Sequence, residues 1–268
     1  MALDALELEA IAADETQRSG VPGFSAGYER LRLEWEALDE TLFRDLRARL
    51  RGSPSPGAAF RHLLDAHLPA WRKAAPDGAQ GPGDIHGYGI LDAFLNGLLH
   101  PFPLPEPLVP CAPDMVPYQK TPARILVHMI ERASPRPSDR FCDVGAGLGQ
   151  ASLLVHLLSG IPASGVEIDP AYVGYARACA ADLGLSAVRF ECLDAREADY
   201  SGYSLLFLYT PFRGEMLAEV LDRIRRHCRP GSRLFTYGPC TAAVARQSWL
   251  RPLEPVPGNG RDLAVFSL

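Results

Sequence analysis

Apolar residues recur along this chain with two different periods, and the change from one to the other divides it. Between Tyr28 and Arg51, the positions Leu31, Trp35, Leu38, Leu42, Leu46 and Leu50 return every three or four residues, which places them on one face of a helix. Arg44, Arg47, Arg49 and Arg51 fall among the polar positions and read as a solvated face suited to a helix C-terminus. A looser acidic helix is predicted over 3–17, ended by Ser19-Gly20-Val21-Pro22-Gly23. After the turn Gly52–Gly57, a helix is predicted over 57–75 through Phe60, Leu63, Leu64, Leu68 and Trp71, and another from Ile90 to Leu99. The stretch 76–89 between them is a glycine- and proline-rich loop, a type that is often functional. Its Asp84, His86 and Tyr88 read either as pocket residues or as plain surface.

Prolines at 101, 103, 105, 107, 110, 113 and 117 exclude a helix from His100 to Pro117 and favour extended backbone. Phe102, Leu104, Leu108 and Val109 call for burial, so this run is expected to pack along the surface. Beyond it the period changes. Thr121 is the expected cap of a helix through Ile125, Leu126, Met129 and Ile130, with Pro122 in its first turn. Strands are then predicted at 140–144, 163–168, 187–192, 204–209, 232–237 and 262–267. Helices at 149–159, 170–183, 214–228 and about 240–248 separate them. Such alternation implies a parallel sheet with helices on both faces. The expected organisation is a helical N-terminal domain over 1–100, a proline-rich linker over 101–117 and an α/β domain over 118–268.

Composition changes this picture little. The 268 residues are 47% hydrophobic and 22% charged, ordinary globular values. A net charge of −5 does not favour long stretches of nucleic acid as the main partner. Six scattered cysteines without a C-x-x-C pair suggest reduced thiols rather than a zinc site. The acidic N-terminus and the lack of a long apolar run point to a soluble, cytoplasmic protein with no membrane contact.

The candidate chemistry gathers around Phe141-Cys142-Asp143-Val144-Gly145-Ala146-Gly147-Leu148-Gly149-Gln150, a strand, a glycine turn and a helix start. Glycines at alternate positions permit a sharp turn and leave room for a ligand, beside the N–H groups that open the helix. A P-loop needs Gly-Lys-Ser/Thr where Gly149-Gln150-Ala151 stands, and the dinucleotide fingerprint needs glycine at 150. Asp143 is poorly placed for a pyrophosphate and suits a ligand with an ammonium group. Ligands of open α/β sheets sit at the carboxyl ends of the strands. Glu167, beside Ile168 at the end of the second strand, is placed to accept from a ribose diol. Asp169 before Pro170 reads as a helix cap. Asp194, beside Ala195 after the third strand, is placed for an adenine amine or is a surface residue.

Asp143-x-Gly145-x-Gly147-x-Gly149, Glu167 and Asp194, in this order and spacing, resemble the class I S-adenosylmethionine (SAM)-dependent methyltransferases over residues 118–268. The resemblance implies a Rossmann-like seven-stranded sheet with the last strand antiparallel. It assigns the methionine part of SAM to the glycine loop, the ribose to Glu167 and the adenine to Asp194, with S-adenosylhomocysteine as product and no metal. Tyr118-Gln119-Lys120-Thr121 before the first helix is similar in layout to the non-SET histone-lysine methyltransferases. That layout implies contacts from Tyr118, Thr121 and Gln150 to the cofactor. Where that group carries two asparagines this chain has Tyr209-Thr210, so the layout carries over and the lysine substrate does not.

Tyr209-Thr210-Pro211-Phe212 ends the fourth strand and partly resembles the Asn/Asp-Pro-Pro-Tyr/Phe motif of amino-group methyltransferases. Tyr209, Thr210 and Phe212 are accordingly the candidate catalytic residues, with Tyr209 orienting the acceptor and Phe212 walling the pocket. The expected function is methyl transfer to a protein side chain or small molecule, held between the N-terminal helices and this strand end. The alternative is a SAM- or nucleotide-binding protein without catalysis. The helices at 28–75 suit a lid or a homodimer interface equally well.

Overall fold

The computed structural model of the protein describes residues 38–68, 71, 89–258 and 262–268. The helix predicted over 3–17 and the candidates Asp84, His86 and Tyr88 lie outside the described residues. Residues 38–51 are helical (α1), followed by α2 (Pro56–His67) and α3 (Ile90–Leu99). Next come α4 (Ala123–Ala133), β1 (Phe141–Val144), α5 (Gln150–Ser159), β2 (Ala163–Glu167), α6 (Pro170–Asp182) and β3 (Val188–Cys192). The chain finishes with β4 (Leu205–Tyr209), α7 (Gly214–His227), β5 (Arg233–Tyr237), α8 (Cys240–Val244), β6 (Arg251–Pro252) and β7 (Ala264–Ser267).

The seven strands form one sheet in the order β3-β2-β1-β4-β5-β7-β6. β1 to β5 pair parallel, and β7 enters antiparallel between β5 and β6. This is the α/β architecture that the alternation implied, with the antiparallel last strand that the resemblance implied. The two-residue β6 gives no periodic signal and is absent from the sequence-based expectation.

Strand alternation sorts the core into two layers. Phe141, Phe207 and Phe235 point to the face covered by α1–α6, while Cys142, Leu206 and Leu234 point to the face covered by α7 and α8. By the same alternation Asp143, Glu167 and Tyr209 lie on the first face. The described parts of α1–α3 belong to that layer: Leu46, Leu50, Phe60, Leu63, Leu64, Leu95 and Leu98 share one buried cluster with α5 and α6. At about 1.5–3 kcal/mol for each fully buried large side chain, these helices add substantially to the sheet's stability. Gly57 gives α2 its close approach, because a Cβ there would fall 2.8 Å from the Leu157 carbonyl oxygen. Arg61 donates to the carbonyls of Leu157 and Leu158 at the end of α5.

Tertiary contacts shift several sequence-based expectations. Leu38 and Leu42 are 62% and 43% exposed, while Leu46 and Leu50 are buried. The stripe that packs runs through Phe43, Leu46 and Leu50, with the Phe43 ring against Gly97. Arg47 leaves the solvated face and Arg51 stays exposed: both pair with Asp182 at the end of α6, and Arg47 also donates to the Gly97 carbonyl at 2.7 Å. Helix α2 stops at His67 rather than 75, because Leu68 precedes Pro69 and is disfavoured in helical geometry. Thr121 does not cap α4. The Ala123 N–H donates at 2.8 Å to Asp92 of α3, whose other oxygen accepts the Gly89 N–H. All six cysteines are free thiols. No helix among the described residues is long and apolar enough to cross a membrane.

Candidate functional site

The carboxyl ends of β1, β2 and β4 open into a cavity of about 400 Å³, within the range of small-ligand sites. Thirteen of the fourteen sequence-predicted site residues line it. Tyr118, Thr121, Asp143, Gly145, Gly147 and Gln150 form one side, Glu167, Ile168, Asp194 and Ala195 the next, and Tyr209, Thr210 and Phe212 the far end. Gly149 is the exception. It lies behind the cavity, where a Cβ would fall 2.6 Å from the Phe190 ring and 2.8 Å from the Ala176 Cβ. Its bare α-carbon lets α5 pack on β3 and α6.

The other two glycines of the turn make room for the protein's own side chains. At Gly147 (φ +52°) an added Cβ would meet the Tyr118 ring at 2.4 Å, and at Gly145 (φ +82°) it would meet the Pro211 Cβ at 2.4 Å. The turn therefore seats Tyr118 on one side and the corner after β4 on the other. Three bonds brace it. Gly145 and Ala146 N–H both donate to the Val166 carbonyl at 2.9 Å, and the Gly147 N–H donates to Glu167 Oε2 at 2.8 Å. Gln150 Nε2 donates to the Thr121 carbonyl at 2.9 Å, joining α5 to the segment before α4.

The four carboxylates differ in their surroundings. Asp143 is buried, and no hydrogen-bond donor among the described residues reaches its carboxylate. Burial, and then the charge of Glu167, push its pKa well above the ordinary carboxylate range. Burial also raises Glu167, against the N–H groups of Asp169 and Gly147 that favour its charge. Asp194 is held below the ordinary range, first by hydrogen bonds from the Arg196 side chain, whose Nη2 lies 2.7 Å from Oδ2. Asp169 caps α6 as expected, with Oδ1 accepting from Ala171 N at 2.8 Å and Tyr172 N at 3.3 Å.

At the far end the side chains tie the corner together. Thr210 sits at φ +43°, an uncommon and costly conformation for a β-branched residue. Its hydroxyl donates to the Tyr237 carbonyl at 3.0 Å and accepts the Cys240 N–H at 3.2 Å. Both bonds commit that hydroxyl to the end of β5 and the start of α8, while Thr210 still lines the cavity. The Tyr209 ring packs 4.9 Å from Tyr237, and its hydroxyl donates to Gln119 Oε1 at 3.4 Å.

Sequence reasoning reads the proline-rich run as a linker and misses its part in the roof. Pro107 to Cys111 and Met115 to Pro117 line the cavity, so the proline-rich run is a strap across the site. It is not held by apolar burial as expected: Leu104 is 70% and Leu108 69% exposed. Backbone contacts hold it, Met115 bridging to Phe212 and the Val116 N–H donating to the Pro211 carbonyl at 3.1 Å. The described residues of α1–α3 do not line the cavity. The signal for a strap was the placement of this run just before Tyr118, on the same side of the glycine turn.

No family model matches this chain, and no curated protein matches it. Among solved structures, an RNA methyltransferase from Salinibacter ruber in complex with S-adenosyl-L-homocysteine is similar over 56% of this chain and 93% of that one, at 24% identity and a TM-score of 0.48. TrmN from Thermus thermophilus is similar over 53% of this chain and 47% of its own, at 22% identity and a TM-score of 0.44. A ribosomal protein L11 methylase from Lactobacillus delbrueckii subsp. bulgaricus is similar over 54% and 76%, at 15% identity and a TM-score of 0.44. The match thus spans about half the length of TrmN.

Proposed function

We propose that this protein is a SAM-dependent methyltransferase whose cofactor lies in the cavity beside the glycine turn. One observation carries the reading: a buried carboxylate, Asp143, lines the cavity without a donor from the described protein. An ammonium group answers that carboxylate. A pyrophosphate brought to the same turn would meet the charges of Asp143 and Glu167.

The remaining residues fit the same ligand. Each Glu167 oxygen accepts one N–H, from Gly147 and from Asp169, and keeps a lone pair for a ribose hydroxyl. Asp194, oriented by Arg196, is an acceptor for an adenine amine. When bound, SAM supplies a methyl group on a positively charged sulfur, open to displacement by a nucleophile. The chain's own part is alignment, from Tyr118 over Gly147 and from the Tyr209–Phe212 corner against Gly145.

The corner offers the acceptor no histidine, lysine or arginine among the described residues that line the cavity. That composition supports a protein side chain or small molecule that arrives as a competent nucleophile, and disfavours a polyanion. A second reading, a cofactor-binding protein without catalysis, draws support from the committed Thr210 hydroxyl.

Calorimetric titration with SAM, S-adenosylhomocysteine and NAD tests the cofactor. Binding of the two sulfur compounds is expected, and binding of NAD alone would overturn the proposal. Methyl-labelled SAM added to lysate fractions separates the two readings: label in protein or small molecules supports catalysis, label in RNA contradicts the acceptor class, and no label favours the binder.

A further inference from the structure

We infer that Asp169, besides capping α6, is the positioning residue that holds the proline-rich strap over the cofactor cavity. The inference rests on the cofactor reading above for the occupant of that cavity.

From 101 to 110 every second residue is proline until Pro107, and Pro110 closes the run. Proline has no N–H, so Leu108 and Val109 are the one adjacent pair of backbone donors in this stretch. Both donate to the same atom, Asp169 Oδ2, each at 2.7 Å. Oδ1 of the same carboxylate accepts from α6. One 4%-exposed side chain thus serves two elements with separate oxygens.

Tyr175 also holds this part of the strap, through its ring and its hydroxyl. Leu104 is exposed, Leu108 is exposed where it lines the cavity, and the Phe102 ring meets the Tyr175 ring edge-on at 6.3 Å. The other hydrogen bond to its backbone among the described residues runs from the Tyr175 hydroxyl to the Phe102 carbonyl at 3.2 Å. On the other side of the cavity the strap is tied again at Pro211 and at Asp114, which accepts the Glu215 N–H at 2.9 Å. Pro110 to Pro113 bridge the two attachments. Asp169 itself lines the cavity, so the first attachment lies at its rim. Burial works against the carboxylate's charge, and the N–H groups of Val109, Ala171, Leu108 and Tyr172 outweigh it and hold the pKa below the ordinary range. The group stays ionised at neutral pH, which makes these bonds charge-assisted.

Asp169→Ser tests the assignment. Serine is as good a helix cap as aspartate, but its hydroxyl is too short to reach Leu108 and Val109 as well. Two measurements are read. In the ligand-free wild type the Leu108 and Val109 amides are expected to be protected from hydrogen exchange, and in Asp169→Ser to exchange freely. Dissociation of S-adenosylhomocysteine is expected to accelerate roughly tenfold or more, from the loss of two bonds to a charged group, with the melting temperature little changed. Val109→Pro, which removes one donor and leaves the cap intact, is expected to speed exchange at the remaining Leu108 amide and to accelerate dissociation, and covers a failure of the serine variant to fold. Freely exchanging amides in the wild type would overturn the inference, as would unchanged dissociation in both variants. Protected amides in a protein that binds no S-adenosylhomocysteine would sink the cofactor reading and still support the Asp169 attachment.

Discussion

The Tyr118 ring rests against the bare α-carbon of Gly147, so closely that a methyl group there would lie 2.4 Å from two ring carbons. The contact joins the residue that follows the strap to the turn that ends β1. Gly147→Ala is expected to cost about 1–3 kcal/mol of stability through its left-handed backbone, and to displace Tyr118. S-adenosylhomocysteine affinity should fall at least roughly tenfold. Calorimetry on the folded variant checks this, and wild-type affinity would show that Tyr118 has no part in binding.

Asp143 is expected to select the amino-acid end of the cofactor. Asp143→Asn should weaken S-adenosylhomocysteine binding roughly 10- to 100-fold, the loss of a bond to a charged group. Binding of methylthioadenosine, which lacks the ammonium group, should be unchanged. An equal loss for both ligands would place the ammonium elsewhere.

The same residue gives a signed pH dependence. Burial and the Glu167 charge raise the folded pKa of Asp143 above its unfolded value. Its contribution to stability is therefore intact below about pH 4, the ordinary carboxylate value, and is lost as pH rises through the folded pKa. In urea titrations of the ligand-free protein, Asp143→Asn should gain on the wild type as pH increases. A stability difference that stays flat with pH would contradict the assignment.

His100 acts in the opposite direction. Burial, and then the charge of Lys120, lower its pKa from 6.5 to about 3. The neutral ring is favoured in the folded state, so stability is lost as pH falls from about 6.5 towards 3, by up to about 4 kcal/mol. His100→Phe, which can keep the stacking on Tyr175 at 5.8 Å, should flatten this acid limb. Unfolding midpoints between these pH values measure it, and parallel curves would count against a neutral buried His100.

Thr210→Val keeps the shape of the corner and removes both hydroxyl bonds to β5 and α8. A loss of about 1–2 kcal/mol in chemical denaturation is expected, and Thr210→Ser should retain wild-type stability. Equal stability of the valine variant would show that the hydroxyl does not hold the corner.

The alternation of strands and helices after Tyr118, the glycine turn and the acids at 143, 167 and 194 were legible in the chain by itself. Period-2 and period-3.6 burial and left-handed turns are local properties, written within a few residues of where they act. The sequence thus determined the sheet and most of one side of the cavity. Pairings between distant segments carry no such local mark. That Phe43 rather than Leu42 packs inward, that Asp92 caps α4, that Gly149 serves packing and that Thr210 is tied to β5 follow from which surfaces meet. The strap is the clearest case. Its prolines announced an extended segment, but nothing local says that its two adjacent N–H groups end on Asp169, 60 residues further along. Tertiary structure decided that, because a donor pair in a proline run takes whatever acceptor the fold brings to it.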